Sequence, residues 1–432
     1  MNRRQAIATL AAAPWVAREA EAKIDNEIVG RHDAAVAKAL AEQITQAGHR
    51  GCGSLPDDDG LYQAGTGAGL FVNLAAAYLH PSSKYHHDRA VPERMRLAAQ
   101  FLDRAQHADG TIDLLVTNFH STPDTGFVVH NLGTAACLLH RAGERELLAM
   151  IEPFLKKAGG ALATGGVHTP NHRWVVSSAL AQIDEVFPDP RYGKRIDQWL
   201  DEGVDIDGDG QFTERSTSVY NTVCDRAFTV LAVKRKRPEL FEPVRRNLNA
   251  MLYLVHPNYE VVTEISRRQD KGERGDIGGY WFPLQYLAVR DRNPVYAGLA
   301  TAVATRRASL PALMEYPEMA GDSPETKPAP DDYVKDFPAL DVVRFRRGAR
   351  SATILGNDSL WFELRQGEAI ITGVRMAGAF FGKGQLVPPR IERNGKSRPA
   401  CGLGGQASST PSGANPRVHP SPGRARRFRC PS

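Results

Sequence analysis

The chain reads TPNHRWVVSSALAQIDEVF from residue 169 to 187 and PDPRYGKRIDQWLDE from residue 188 to 202. The first segment is apolar on most of its circumference, which is typical of a buried helix. The second is richer in charge, as a surface helix is. A proline lies in the first turn of each predicted helix, where its missing amide hydrogen costs no hydrogen bond. The two segments therefore predict a helical hairpin with one inner and one outer helix.

The same alternation recurs about every 45 to 60 residues, which is the signature of repeated hairpins. Repeated hairpins can close into a ring that buries the inner helices and gathers their starts at one mouth. We therefore predict a mainly α fold, an (α/α) toroid over residues 23–320. An open α-solenoid, with the same segments spread along a surface, is the alternative. The predicted inner helices are 67–79, 124–139, 170–187, 217–233 and 279–289, and the outer ones 92–107, 144–158, 190–202, 238–255 and 294–309.

The pattern changes after the last helical segment. Residues 321–333 form a Pro-rich linker, and strand patterns follow at 342–345, 352–355, 360–364 and 369–374. We predict a partial β-sandwich over residues 334–392, because a complete one needs about 100 residues. Ser, Pro, Gly and Arg dominate residues 393–432, a composition typical of disorder. Our interpretation is a truncated β-sandwich followed by a disordered or frameshifted tail; a natural flexible tail is the alternative.

The first residues have the order of an export signal. Arg3 and Arg4 precede the apolar stretch 6–13, and residues 20–22 offer a cleavage pattern of small residues. We therefore predict that residues 1–22 direct export to the periplasm or the medium. The paired arginines suggest the twin-arginine route. An ordinary amphipathic helix is the alternative. No run of about 18 apolar residues occurs, so no membrane span is predicted.

The net charge of +5 misrepresents the folded part of the chain. Residues 393–432 contain eight basic residues and no acidic one, so the remainder is mildly acidic. This excludes a general electrostatic attraction to nucleic acid, and recognition of an anion must come from local groups. The five cysteines include no Cys-x-x-Cys pair, which argues against a disulfide framework or a cysteine zinc site.

Two polar segments lie where inner helices begin or early within them. Asn171 and His172 open one helix, where exposed amides and the helix dipole favour an anion. Asn171 could hydrogen-bond a carboxylate, and His172 could act as a base or as a charge partner. His130 and Asn131 could position a substrate on an earlier inner helix. The structural alternatives are a helix cap for Asn171, a hydrogen-bonded surface position for His172, and core or capping roles for His130 and Asn131.

The segment ERSTSVYN, residues 214–221, opens the next inner helix. Tyr220 could deliver or accept a proton, with Arg215 favouring its deprotonated form and Glu214 orienting Arg215. A core tyrosine with a hydrogen-bonded hydroxyl is the alternative. Arg267 and Tyr280 follow on the next hairpin and could hold a sugar, although such residues also serve in cores.

A possible calcium loop precedes Tyr220. Asp205, Asp207 and Asp209 have the spacing of the front half of such a loop, but its twelfth position is Ser216 and not the required glutamate. An acidic turn is the alternative. We therefore expect no cofactor and keep calcium open.

Two motifs carry a resemblance to a known family. Asn171-His172-Arg173-Trp174, followed by Tyr220-Asn221, resembles the heparinase II/III-like polysaccharide lyases, which have an (α/α) toroid and a C-terminal β-sandwich. The resemblance covers about residues 60–390. It implies that Asn171 neutralises a uronate carboxylate, that His172 is the base or charge partner, and that Tyr220 is the acid or base. Arg173 would contact the substrate within the first motif.

The resemblance implies β-elimination at a bond 4-linked to a uronic acid in an acidic polysaccharide. Two alternatives remain. One is a glycoside hydrolase on the same toroid, which needs two carboxylic acids, for which Asp124, Glu214 and Asp276 are the candidates. The other is a non-catalytic or degenerate glycan-binding protein.

Overall fold

The computed structural model describes residues 26–380, 383–388, 390–393 and 399–400. The predicted export signal lies outside these residues, and so does the predicted tail apart from Arg393, Pro399 and Ala400. None of the helices in the described part is long and apolar enough to cross a membrane. The α-helices described are α1 Asn26–Glu42, α2 Ala64–Leu79, α3 Val91–Ala105, α4 Thr122–Ala142, α5 Arg145–Ala149, α6 Glu152–Thr164, α7 Pro170–Val186, α8 Pro190–Asp201, α9 Tyr220–Lys234, α10 Phe241–Met251, α11 Trp281–Arg290, α12 Pro294–Arg307 and α13 Leu310–Glu315.

Helices α2, α4, α7 and α9 pack side by side in chain order, and α11 follows α9. Small and apolar residues cover most of their circumference, so they are buried nearly throughout. Helices α3, α6, α8 and α10 pack outside them with one apolar face inward. The predicted inner and outer helices are therefore confirmed.

The first and last helices of this series meet. Arg31 on α1 donates to the carbonyl oxygens of Ala304 (3.2 Å), Thr305 and Ala308 (2.6 Å) at the end of α12, where helix carbonyls lack partners within the helix. Glu315 at the end of α13 accepts a hydrogen bond from Thr134 on α4 (2.6 Å) and is paired with Lys234 on α9 (2.9 Å). These contacts close the ring, so the toroid is confirmed and the open solenoid is not observed.

Some boundaries differ from the predictions. The predicted outer helix 144–158 is divided into α5 and α6, since Pro153 in the first turn of α6 cannot continue a preceding helix. The inner helix predicted from residue 217 begins at Tyr220, whose amide donates to Ser216 Oγ (3.1 Å). A short hairpin, β1 Ile112–Leu114 and β2 Asn118–Ser121, was not predicted, because its strands are too short to show an alternating pattern.

The C-terminal part contains one antiparallel sheet of five strands paired in chain order. Its first strand, β3 Asp332–Phe337, begins inside the predicted linker 321–333. One face packs against residues 252–276, where the fully buried Arg344 donates to the carbonyl of Tyr253 (3.0 Å) and to Thr353 (2.6 Å). The predicted partial β-sandwich is confirmed. The strands are β3 Asp332–Phe337, β4 Val342–Arg347, β5 Arg350–Leu355, β6 Phe362–Gln366, β7 Ala369–Val374, then the pairs β8 Ala377–Phe380 with β9 Lys383–Gln385 and β10 Glu392–Arg393 with β11 Pro399–Ala400.

Candidate active site

The candidate site lies where α4, α7 and α9 begin. Glu214, in the loop before α9, connects α7 to the loop before α11 and is only 6% exposed. Its Oε2 accepts hydrogen bonds from Asn171 Nδ2 (2.6 Å) and from the Asn171 amide (3.3 Å) at the start of α7. Its Oε1 accepts a hydrogen bond from Arg268 (2.5 Å) in the loop before α11. Hydrogen bonds to an ionised carboxylate are stronger than neutral ones, so Glu214 fixes both partners.

Arg268 carries this network on to Tyr220. Its guanidinium lies 4.6 Å from the centre of the Tyr220 ring, and its second terminal nitrogen lies 3.4 Å from the Tyr220 oxygen. Gln269 Nε2 donates a shorter hydrogen bond to the same oxygen (2.6 Å). Because both partners are donors, the hydrogen of the half-buried Tyr220 hydroxyl remains available to a substrate.

His172 lies beside this network at the start of α7. Its ring meets those of His168 (4.6 Å between centres) and Phe127 (6.2 Å) edge-on. Burial lowers the pKa of His172 to about 4, with a contribution from the positive charge of His168 and an opposing one from Asp124. The imidazole is therefore neutral at neutral pH. Its Nδ1 is buried and finds no hydrogen-bond partner in the described part of the chain, so Nε2 is the nitrogen left for a substrate.

A cavity of about 360 Å³ lies along α4 and α9. Phe127, which touches His172, lies in its wall, and so does Val223, one helical turn after Tyr220. Arg226 lies in the same wall and supplies a positive charge. The cavity thus offers an apolar surface and a cation next to the site, as expected of a binding pocket.

His130 and Asn131, which the sequence suggested as substrate-positioning residues, line this cavity. His130 Nε2 is hydrogen-bonded to Ser178 Oγ (2.8 Å). Burial, together with the positive charge of Arg226, lowers the pKa of His130 to about 3. His130 is therefore a neutral, buried part of the wall, whereas Asn131 is half-buried and can face a ligand.

Asn171 has little capacity left for a substrate. It is fully buried, and its Nδ2 donates to Glu214 and to Thr169 Oγ1 (3.1 Å). Its Oδ1 is buried without a hydrogen-bond partner among the described residues. Direct contact between Nδ2 and a substrate carboxylate would require the Thr169 bond to break.

The structure corrects the predicted role of Arg215. We expected Glu214 to orient Arg215 towards Tyr220, but Glu214 pairs with Arg268. Arg215 has a positive φ of 52°, and its side chain donates to the carbonyl of Ala339 (2.9 Å) near the sheet. The left-handed backbone thus turns this side chain away from Tyr220.

Three other predicted substrate contacts lie outside the network. Arg173 pairs with Glu202 and Asp205 (both 3.1 Å), which ties α7 to the loop after α8. Tyr280 is fully buried and donates to the carbonyl of Thr217 (2.6 Å), so it is a core residue and not a sugar platform. Arg267 is exposed, and its side chain donates to the carbonyl of Thr213 (3.5 Å).

The acidic residues of the possible calcium loop face different protein groups. Asp205 accepts a hydrogen bond from Trp174 (2.8 Å), Asp207 from two amides of its own turn (3.0 Å each), and Asp209 from the amide of Leu340 (2.9 Å). They belong to no cluster of metal-ligating atoms in the part of the chain that the structure describes. Calcium binding there stays an untested alternative to the expectation of no cofactor.

Sequence reasoning missed Arg268, Gln269 and Arg226. Arg268 and Gln269 adjoin Arg267 in an irregular loop, where no periodicity shows which side chain points inward. Arg226 could have been found, because a charged residue within a largely apolar inner helix is unusual unless it has a partner or faces a cavity.

Similarity to known proteins is found in structure and not in sequence. No family model and no curated sequence matches the chain. Among solved structures, it is similar to a Paenibacillus xanthan lyase (12% identity, TM-score 0.56, covering 78% of this chain and 35% of that one). It is also similar to the Streptomyces coelicolor A3 chondroitin AC lyase (16% identity, TM-score 0.55, covering 77% and 50%).

The chain has the fold of a polysaccharide lyase. The resemblance found in the sequence is therefore confirmed at the level of the fold. This chain matches half or less of the length of these two relatives.

Proposed function

We propose that this protein cleaves an acidic polysaccharide by β-elimination next to a uronic acid. The observation that carries the proposal is the Tyr220 hydroxyl, held by donors from Arg268 and Gln269, together with the neutral imidazole of His172 at the start of the adjacent helix α7. This pairs a proton donor with a proton acceptor where three inner helices begin. The Streptomyces relative was solved in complex with chondroitin sulphate, which supports an acidic substrate.

The reaction removes the proton on C5, next to the uronate carboxylate. That carboxylate opposes formation of a carbanion, so its charge must be offset, and donors aimed at the developing enolate contribute several kcal/mol (~2.7–4 for a single donor). We assign this role to Arg268, with Asn171 and Glu214 as positioning residues. His172 Nε2 takes the C5 proton, and the electron pair of the C–H bond passes into the enolate.

The bond between C4 and its leaving oxygen then breaks. Electrons from the enolate form the C4–C5 double bond, and Tyr220 gives its proton to the leaving oxygen. Arg268 and Gln269 then hold the phenolate oxygen through the donors that already contact it. Proton exchange with solvent restores Tyr220 and His172. The products are a new sugar hydroxyl and a 4,5-unsaturated uronyl end.

We further propose that the protein is exported, since its polymeric substrate would be met outside the cytoplasm. The first residues have the order of an export signal. A periplasmic or secreted location would follow. Fractionation of cells producing the full chain tests this, because retention in the cytoplasm would contradict it.

The hydrolase alternative fits the carboxylates less well. Both oxygens of Glu214 are occupied by Asn171 and Arg268, and Asp276 pairs with Arg307 (3.0 Å) and caps the turn at Gly278 (2.7 Å). A hydrolase needs two available carboxyl groups across the bond. Asp124 and Asp113 both lie in the cavity wall, but Asp113 accepts hydrogen bonds from His107 (2.7 Å) and from the amide of His120 (2.8 Å). New reducing ends without an unsaturated product would favour hydrolysis.

The test compares Tyr220→Phe with Tyr280→Phe on uronic-acid polymers that the wild type degrades. Each change removes one hydroxyl, but Tyr280 is a core residue. The ultraviolet absorbance of the unsaturated product reports turnover. We expect Tyr220→Phe to lose roughly 10²-fold or more in kcat, the scale of a general acid or base, and Tyr280→Phe to keep most of it. Equal turnover in both variants would refute the assignment. Binding of such polymers without turnover by the wild type would show a non-catalytic protein.

A further inference from the structure

A second cluster of polar side chains lies between residues 252–276 and the sheet, apart from the candidate active site. His256 and Glu264 come from the helical domain, and Glu363 comes from β6. They are 1%, 2% and 0% exposed. One ligand atom of each, an imidazole nitrogen or a carboxylate oxygen, lies within 4.8 Å of the other two. Such a gathering of two carboxylates and an imidazole in a protein interior requires compensating positive charge, to which the nearby guanidinium groups of Arg344 and Arg365 contribute.

Two atoms of this cluster have unused hydrogen-bonding capacity. His256 Nδ1 is hydrogen-bonded to Ser351 Oγ (2.8 Å), which leaves Nε2 facing Glu363 Oε2 at 3.6 Å, beyond hydrogen-bond distance. Neither His256 Nε2 nor Glu264 Oε2 has a hydrogen-bond partner within the described ranges. A buried acceptor left unsatisfied is unfavourable. A cation between these atoms would satisfy both of them together with Glu363.

The surrounding groups resemble those that orient metal ligands. A ligating histidine usually engages its other ring nitrogen with a nearby polar group, as His256 Nδ1 does with Ser351, and ligating carboxylates are themselves hydrogen-bonded. Glu363 Oε1 accepts a hydrogen bond from Arg365 (2.5 Å). The neighbouring Arg344 directs its hydrogen bonds to the backbone carbonyls of Tyr253 and Val255 and to Thr353. None of these hydrogen bonds goes to Glu264.

We propose that His256, Glu264 and Glu363 bind one divalent transition-metal ion, for which zinc is the probe. Zinc accepts this mixture of imidazole nitrogen and carboxylate oxygen ligands. The ion would join β6 to the segment 252–276. That segment also carries Arg268 and Gln269, but the proposal stands on its own geometry and does not depend on the lyase reaction.

The competing explanation is a proton in place of a metal. Burial, together with the adjacent negative charge of Glu264, raises the pKa of Glu363 to about 8. The two carboxyl groups could therefore share a proton. A shared proton requires no metal and is lost as the pH rises above about 8, which distinguishes the two explanations.

The test uses the full chain, dialysed against a chelator and then titrated with zinc sulphate by calorimetry. We expect one equivalent to bind with a dissociation constant in the micromolar range or below, and excess zinc to raise the melting temperature by several degrees. His256→Gln and Glu264→Gln should weaken binding at least about tenfold, the lower end of losses at metal sites. Glu260→Gln is the matched control, because Glu260 pairs with Arg365 at the same interface but supplies no ligand atom.

Failure of the wild type to bind one equivalent of zinc would overturn the proposal, even if the variants do not fold. Unchanged affinity in both His256→Gln and Glu264→Gln would also overturn it, since the ion would then lie elsewhere. A melting temperature that is unchanged by zinc, but falls as the pH rises from about 4.5 to about 8 and levels off above that, would favour the shared proton instead.

Discussion

Replacement of Glu214 by glutamine tests the centre of the candidate site. The carboxylate accepts short hydrogen bonds from Asn171 (2.6 Å) and Arg268 (2.5 Å). Hydrogen bonds to charged groups contribute about 1.5–3 kcal/mol each. Glutamine has the same shape, but its amide nitrogen must face one of these two donors. We therefore expect Glu214→Gln to lower the free energy of unfolding by about 2–4 kcal/mol.

The same substitution should slow the reaction. Arg268 loses its ionic partner, and with it the position from which it contacts Tyr220. We expect kcat to fall by roughly 10²-fold, comparable with the loss of one stabilising donor. Urea denaturation followed by circular dichroism gives the stability, and formation of the unsaturated product gives the rate. Glu202→Gln is the matched control, because its carboxylate pairs with Arg173 at the surface and should contribute no more than about 1 kcal/mol.

Two outcomes would contradict this reasoning in different ways. If Glu214→Gln unfolds like Glu202→Gln, the contacts seen in the structure do not hold the site together. If stability falls while kcat is unchanged, Glu214 is structural and the position of Arg268 does not matter to the reaction.

Two further predictions concern buried charge. Lys234→Met should lower the free energy of unfolding by about 3–5 kcal/mol, because Glu315 then stays buried without its cation. Urea denaturation measures this loss. The coupling would be refuted if the Lys234→Met/Glu315→Leu double variant lost as much unfolding free energy as the two single variants together. The pKa of His130 is lower in the folded protein (about 3) than in the unfolded chain, so its contribution to stability is present above about pH 6.5 and is lost as the pH falls towards 3. Between pH 7 and pH 5 the loss is about 2 kcal/mol, and His130→Gln should remove it from the measured pH dependence. An identical pH dependence in the variant would show that other groups are responsible.

The sequence was sufficient to predict the helical ring and part of the site. Apolar inner helices and proline-led starts are local features, so α7 and α8 could be located from the order of their residues. Asn171 and Tyr220 were identifiable because helix starts must lie at one end of a closed ring. Glu214 was also predicted as a site residue, but we expected it to orient Arg215, whereas it pairs with Arg268.

The remainder depended on contacts that no local pattern encodes. Arg267 and Arg268 are adjacent and chemically identical, and only the path of an irregular loop decides which one meets Tyr220. The sequence around Tyr280 does not distinguish a sugar-binding residue from a core residue, and packing places Tyr280 in the core. The direction of Arg215 depends on a left-handed backbone conformation, which its residue type does not predict.

The segment 252–276 explains why the sheet matters to a site built at helix starts. On one side, Arg344 and Ser351 of the sheet bind the carbonyl of Tyr253 and the ring of His256. On the other side, Asp270 accepts hydrogen bonds from Ser216 (2.9 Å) and Ser218 (2.7 Å), just before α9 begins. Arg268 and Gln269 lie between these two anchored ends. The donors to the Tyr220 hydroxyl are therefore held by the sheet as well as by the toroid. The strands that follow the helical ring therefore help to support the loop that reaches Tyr220.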